Sequence, residues 1–293
     1  MYEKRWEKVR EKLRKKKANA FVSKLPSNIR YLTSSHLLSP IATYLIIPLK
    51  GEPIAVVPTL EEFRAKEEFP IDDIRVYGEH EGVIASGKKC ASLMRKALNE
   101  IKAKKVVTDA NERIIGIKVK KDDFIKKMRV YKDKEEVRKI KKAAEIVSNC
   151  ANILHEFVGE GRSEREVANE LDYALREKGS FGNPFSTIIA SGPHSAYSHH
   201  DVTNRKIRRG ETVICDFGAY FDGYCADITR TVSIGGAKEW EEIYNIVLEA
   251  QEKAIKVIKH GKEIGEIDRT ARNVIKEYGY SRYYVHGTGH GVG

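Results

Sequence analysis

The stretch VICDFGAYFDGYCADITRTV, residues 213–232, decides how the second half of this chain folds. Two runs rich in Val, Ile, Tyr, Phe and Thr flank Asp222-Gly223, a dipeptide favoured in two-residue hairpin turns because both positions tolerate positive φ. That turn predicts Tyr224 opposite Phe221 and Asp216 opposite Thr229, which puts Asp227 one diagonal step from Asp216 on the same sheet face. Two adjacent carboxylates repel and push one pKa upward unless a cation lies between them. A metal site is one reading of the pair. Carboxylates capping strand ends or facing solvent are the other, and the spacing alone leaves both open.

On the C-terminal side of the hairpin, helical spacing runs from Glu239 to His260, closed by Gly261, and from Ile264 to Tyr278, before YYVHGTGHGVG. The glycines around His290 allow backbone or ligand to approach closely. A dinucleotide loop is excluded, because G-x-G-x-x-G fails at Val292, and no lysine follows for a P-loop. A neutral imidazole at His290 is a reasonable metal ligand. On the N-terminal side lie His194, His199 and His200 in SGPHSAYSHHDV. Such clusters serve packing as often as catalysis, yet their place beside two carboxylates suits a donor to a developing oxyanion. Cys225 shares the face of Asp227 by period two, as a soft ligand or, more simply, a small buried hydrophobe. Asp216-Phe217-Gly218 matches a kinase DFG, but the HRD loop and VAIK strand are missing, as are HExxH, GxSxG and paired CxxC motifs.

Further upstream, Ser163 and Glu166 form a capping box ahead of Val167, Leu171 and Leu175, with Gly179 as the stop, and Asp133 with Glu136 caps an earlier helix. The second unit is therefore α+β, helices against a mainly antiparallel sheet. Before it, strand-like NAFVSKL, ATYLIIPL, PIAVVPT, IRVYG and KVVTDA interleave with helical EEFRAKEE and GKKCASLMRKALNEIKA, an α/β pattern. Charge density peaks from Lys118 to Lys142, and the domain boundary is placed there, giving units 1–122 and 123–293. The first helix, with Trp6, Val9 and Leu13 at helical spacing, reads as amphipathic and packed on a core.

Composition narrows the class. The chain has 293 residues, 41% hydrophobic and 32% charged, with a net charge of +11. A charged share above the usual figure of about 25% describes a globular protein with a heavily charged surface. Lys scattered among Glu, with Gln251 the one glutamine, matches proteins from hot habitats, which explains the charge more simply than nucleic-acid binding. The longest apolar stretch, Tyr44–Leu49, falls far short of the roughly 18 residues of a membrane span. The N-terminus has no secretory h-region and the four cysteines form no CxxC pair, so a cytoplasmic location, with neither nucleic-acid nor membrane partner, is expected.

Taken together, these motifs resemble the creatinase/aminopeptidase superfamily of pita-bread metallopeptidases, in particular its proline-directed members, the Xaa-Pro dipeptidases (prolidases) and aminopeptidases P. The resemblance is strongest from Pro184 to Gly293. NIRYLT and KGEPIAVV look like the family's N-terminal domain, and RVYKDKEEVRKIKKAA like its interdomain entry. It implies an α/β N-terminal domain followed by an α+β pita-bread domain that is C-terminally incomplete. Its metal carboxylates fall on Asp216 and Asp227, the latter inside ADITRT, and its metal histidine on His290 inside TGHGVG. The histidine contacting the scissile carbonyl falls on His199, in an SHH context where the family has PHG; His194 and His286 match no functional position.

The resemblance implies two divalent ions, Mn2+ or Co2+, sharing a water acidified to hydroxide. Asp216 would chelate one ion, Asp227 would bridge, His290 would complete the other shell and His199 would stabilise the oxyanion. The expected reaction is hydrolysis of an Xaa-Pro bond in a proline-containing peptide, by a homodimer, with dipeptides as the first substrate class. Aminopeptidase P activity on longer peptides and a non-catalytic pita-bread binding protein are the alternatives. The family's second histidine and two glutamate ligands follow the GHG segment, whereas this sequence stops at Gly293. The expectation is a truncated chain, inactive as 293 residues.

Overall fold

The computed structural model describes residues 2–35, 43–78, 89–111, 113–114, 116–236 and 238–292, in two compact units, Met1–Asp133 and Lys134–Gly293. In chain order the first contains α1 (Tyr2–Lys16), β1 (Ala20–Ser23), α2 (Pro26–Thr33), β2 (Tyr44–Pro48), β3 (Ile54–Pro58), α3 (Glu62–Glu68), β4 (Asp73–Tyr77), α4 (Cys90–Glu100), β5 (Lys105–Thr108), β6 (Lys118–Lys121) and α5 (Phe124–Arg129). The six strands form one mixed sheet in the order β4-β3-β2-β1-β5-β6, with β1–β2 and β2–β3 antiparallel and the other pairs parallel.

Every residue of β1, β2 and β3 is buried, because both faces of this sheet are covered. Phe21, Leu45, Ile47 and Val57 pack with Trp6, Val9 and Leu13 of α1 and Ile29 and Leu32 of α2. The alternate residues Ala20, Val22, Ile46 and Val56 pack with Leu93, Met94, Ala97 and Leu98 of α4. Continuous apolar strands are the signature of a sheet buried on two sides. The amphipathic N-terminal segment is thus a core helix, as its spacing predicts. The units divide at Asp133/Lys134 and not at 122/123, because α5 buries Phe124 and Ile125 in the first core. The charge peak spans that short helix and hides its two apolar anchors.

The second unit contains α6 (Lys134–Asn152), α7 (Leu154–Phe157), α8 (Glu164–Glu177), β7 (Ile188–Ser191), β8 (Thr212–Phe221), β9 (Tyr224–Ser233), α9 (Glu241–Lys256) and α10 (Ile264–Glu277). Ser163 caps α8 with the reciprocal Glu166 bond of a capping box, and Gly179, at φ +100°, ends the segment. β7, β8 and β9 form an antiparallel sheet in that order. The β8–β9 register is the one the turn predicts: Phe221 faces Tyr224, Asp216 faces Thr229 and Gly218 faces Asp227, with Asp222 at φ +46° and Gly223 at φ +88°.

Val213, Cys215, Phe217 and Ala219 of β8, with Ala226 of β9, point into a core completed by Ile146 and Val147 of α6 and Leu171 and Leu175 of α8. The alternate residues, Asp216 and Gly218 among them, therefore occupy the opposite face. Gly218 tolerates no side chain there, since a Cβ would lie 2.6 Å from Pro184 Cγ and 2.7 Å from the Ala226 carbonyl oxygen. Among the described residues no helix is long and apolar enough to cross a membrane.

Gly218→Ala is expected to lower stability by about 1–3 kcal/mol through overpacking. Urea denaturation reads this directly, and an unchanged midpoint would show that the hairpin yields at no cost.

Candidate metal centre

Asp216 is half-buried on β8, and Thr229 Oγ1, directly across on β9, donates to its Oδ1 at 3.0 Å. Burial pushes the Asp216 carboxyl above the usual aspartate range. Thr229 pulls it back, whereas the charge of Asp227 and a hydrogen bond shared with it push it up again, and His290 lowers it. Asp227 Oδ2 in turn lies 3.2 Å from His290 Nε2. Three residues from two strands and the C-terminal segment thus converge, offering two carboxylates and one imidazole. A half-buried carboxylate crowded by a second one binds either a proton or a cation, so this donor set fits a divalent metal with oxygen and nitrogen preference.

His290 is brought to the aspartates by α10. Asp268 Oδ1 accepts from the Thr288 amide and from Thr288 Oγ1, both at 2.9 Å, and Asp268 Oδ2 accepts from Arg272 Nε at 2.6 Å. The same Arg272 donates to the carbonyls of Tyr284 and His286 at 3.1 and 2.6 Å, and Tyr284 Oη donates to Thr288 Oγ1 at 2.7 Å. Arg272, followed by Thr288, holds the Asp268 carboxyl at about 2. An irregular segment with little side-chain bulk is thereby tied to a helix two residues before its metal-ligating candidate.

His199 lies exposed on the connection between β7 and β8, after a 3-10 turn at Gly192–Ala196. Among the described residues it makes no hydrogen bond with Asp216, Asp227 or His290. Its neighbours have a different partner, one the spacing of histidines gave no hint of. Glu164, the fully buried first residue of α8, accepts at Oε1 from His194 Nδ1 (2.8 Å), Ser191 N (3.0 Å) and Ser191 Oγ (2.8 Å). Its Oε2 accepts from His200 Nε2 (2.9 Å), Thr203 Oγ1 (2.6 Å) and Thr203 N (3.2 Å). Burial would raise this carboxyl, but the bonds from Thr203, His200 and Ser191 prevail and hold it at about 2. The sequence signal was the helix start itself, where an acidic residue at N1 sits beside unpaired amides.

The Creatinase/Prolidase N-terminal domain model matches residues 5–116, and the model of metallopeptidase family M24 matches residues 138–293. The chain is 37% identical over 279 residues to the Xaa-Pro dipeptidase of Pyrococcus furiosus, covering 93% of this chain and 77% of that protein. Among solved structures it resembles the prolidase of Pyrococcus horikoshii, with a TM-score of 0.87 and 34% identity over 99% of this chain and 82% of that one. It also resembles an X-Pro aminopeptidase of Thermotoga maritima, with a TM-score of 0.86 and 29% identity over 98% of this chain and 82% of that one. The resemblance seen in the motifs is thus shared by both units, and the α/β and pita-bread architecture stands.

Two outcomes follow from the two acidic hubs. Asp268→Ala frees the His290 segment and is expected to weaken divalent-ion binding about 10- to 100-fold, as loss of a group orienting a metal ligand does; calorimetry with Mn2+ as the probe ion checks it. The Glu164 carboxyl is lowered on folding, so the stability it contributes is fully present above its unfolded value of 4.5 and is lost as the pH falls towards about 2. Glu164→Gln should flatten that acid limb of a stability–pH profile, and an identical limb in both proteins would contradict the assignment.

Proposed function

Because the chain belongs to metallopeptidase family M24, we propose that it hydrolyses the bond between an N-terminal residue and proline, with dipeptides as the preferred substrates and two divalent ions, Mn2+ or Co2+, as cofactors. The observation that carries the reading is the meeting of two carboxylates of one hairpin, Asp216 and Asp227, with His290 from far along the chain. These three would hold metal. When bound, a divalent ion lowers the pKa of a water and polarises a carbonyl, supplying nucleophile and Lewis acid. The substrate class comes from the Pyrococcus relatives, named Xaa-Pro dipeptidases.

The chain's own groups do the rest. Asp216 must give up its proton to bind metal, and its raised carboxyl makes metal affinity fall at a higher pH than for an ordinary aspartate as acid is added. Thr229 orients that carboxylate by its hydroxyl. Asp227 contacts both Asp216 and His290, and so couples the two ends of the donor set. His199 is the hydrogen-bond donor to the oxyanion that develops on the scissile carbonyl, a role its exposed imidazole is free to perform. Aminopeptidase action on longer peptides is the second reading, favoured by the likeness to the Thermotoga maritima X-Pro aminopeptidase.

A panel of Xaa-Pro dipeptides and Xaa-Pro-Yaa tripeptides, assayed with Mn2+, tests both. Dipeptides should be cleaved faster, and a clear preference for tripeptides would move the protein to the second reading. Asp216→Asn should abolish measurable turnover, while His199→Ala should lower kcat by about 100- to 1,000-fold, the usual cost of an oxyanion donor, with little change in KM.

A further inference from the structure

We infer that Glu164 is a positioning residue for His199, its buried carboxylate fixing the β7–β8 connection on both sides of that histidine. The inference rests on the role of His199 proposed above and adds a residue to it. Ser191 and His194 precede His199, and His200 and Thr203 follow it; all four donate to the one carboxylate, two to each oxygen. Residues between these anchors, His199 included, are bracketed in a loop that has no regular hydrogen-bond ladder of its own.

The anchoring extends to the backbone at the start of α8. The amide of Glu164 donates to the Arg205 carbonyl at 3.2 Å and that of Arg165 to the Thr203 carbonyl at 3.0 Å, so the loop's return limb satisfies helix amides that have no partner within the helix. At the loop's entry, Gly192 (φ +50°) packs on the Arg205–Glu211 ion pair so closely that a Cβ would lie 2.5 Å from Glu211 Oε1. The loop is therefore fastened on both sides of His199 to Glu164, with the Arg205–Glu211 pair packed against its entry. His194 and His200 lie with ring centroids 4.4 Å apart, each reaching one oxygen.

Glu164, His194 and His200 also bring three potential ligand atoms within 4.8 Å of one another. A metal there is the weaker account. A carboxylate anion only accepts, so the imidazole nitrogens facing it carry protons, whereas a metal needs them bare. Six donors already exceed the roughly four lone-pair sites of a carboxylate. Arg205, which bonds Ser191 Oγ at 2.7 Å, adds positive charge beside the cluster.

The test uses the whole protein labelled with 15N-histidine and the variant Glu164→Gln, which keeps the shape and removes the charge. In the parent, nitrogen shifts should report the Nδ1–H form for His194 and the Nε2–H form for His200, and bare nitrogens at those positions would overturn the inference in favour of a metal cluster. In Glu164→Gln the resonances of His199 should shift along with those of His194 and His200. Among the described residues His199 makes no hydrogen bond with Glu164, so an unmoved His199 overturns the inference whether or not the protein cleaves peptides. Absence of turnover in the parent counts against the proposed activity alone.

With an Xaa-Pro dipeptide, Glu164→Gln should lower kcat at least about tenfold and leave KM within about twofold. The double variant Glu164→Gln/His199→Ala should be no slower than His199→Ala alone, since a residue acting through His199 has nothing left to position. Additive losses would mean that Glu164 acts elsewhere. Should Glu164→Gln fail to fold, Thr203→Val removes one donor while keeping the carboxylate, and the same pattern at smaller amplitude is expected; unchanged His199 resonances and kcat there would again overturn the inference.

Discussion

Asp216 and Asp227 repel each other, and the β8–β9 hairpin keeps them together all the same. Their proximity is a consequence of register: Phe221 pairs with Tyr224 across a two-residue turn, and every later pair follows. A slip of β8 by one residue would send Asp216 to the core face, away from Asp227, and drive Cys215, Phe217 and Ala219 out of it. The buried apolar face thus supplies the free energy that holds the acidic face in place. Gly218, opposite Asp227, is the point where this sheet meets Pro184 and Phe185, and only a residue without a side chain leaves room for both.

The segments carrying the other candidate groups have no such ladder, and each is organised by a carboxylate. Asp268 on α10 gathers the amide and hydroxyl of Thr288 and the side chain of Arg272, ahead of His290. Glu164 at the start of α8 gathers donors from either side of His199. In the first unit Asp109 does likewise, accepting from Ser23 Oγ, the Lys24 amide and Asn28 Nδ2 where β1 runs into α2. Irregular chain exposes amides that must find acceptors, and an ionised carboxylate offers several at once. The three differ in burial: Glu164 is wholly enclosed, so its bonds are unscreened by water, while the Asp268 side chain keeps about a third of its exposure. Removing a buried acceptor strands its donors, which makes Glu164 the costlier of the two to lose.

Reading the chain by period and turn chemistry recovers those parts whose causes are local. Asp222-Gly223 set the hairpin, Ser163 and Glu166 set the start of α8, and the apolar spacing of Trp6, Val9 and Leu13 set the buried stripe of α1. The division between the units was misplaced by one short helix, because Phe124 and Ile125 are apolar islands in a run of charge and only the core they enter reveals their side. The histidine cluster was visible as a cluster, yet nothing in its spacing separates exposed His199 from His194 and His200, which turn inward to Glu164.

The sequence by itself determined which side chains share a strand face, where the second unit's first helices begin, and that Asp216 and Asp227 lie side by side, since these follow from backbone periodicity and from turns a few residues long. Tertiary structure alone decided that His290 reaches Asp227, that Asp268 and Arg272 hold it there, and that Glu164 gathers the loop around His199. Those contacts join residues distant along the chain. They exist because buried or converging polar groups must find partners, and the packing of helices on the sheet determines which partners are within reach.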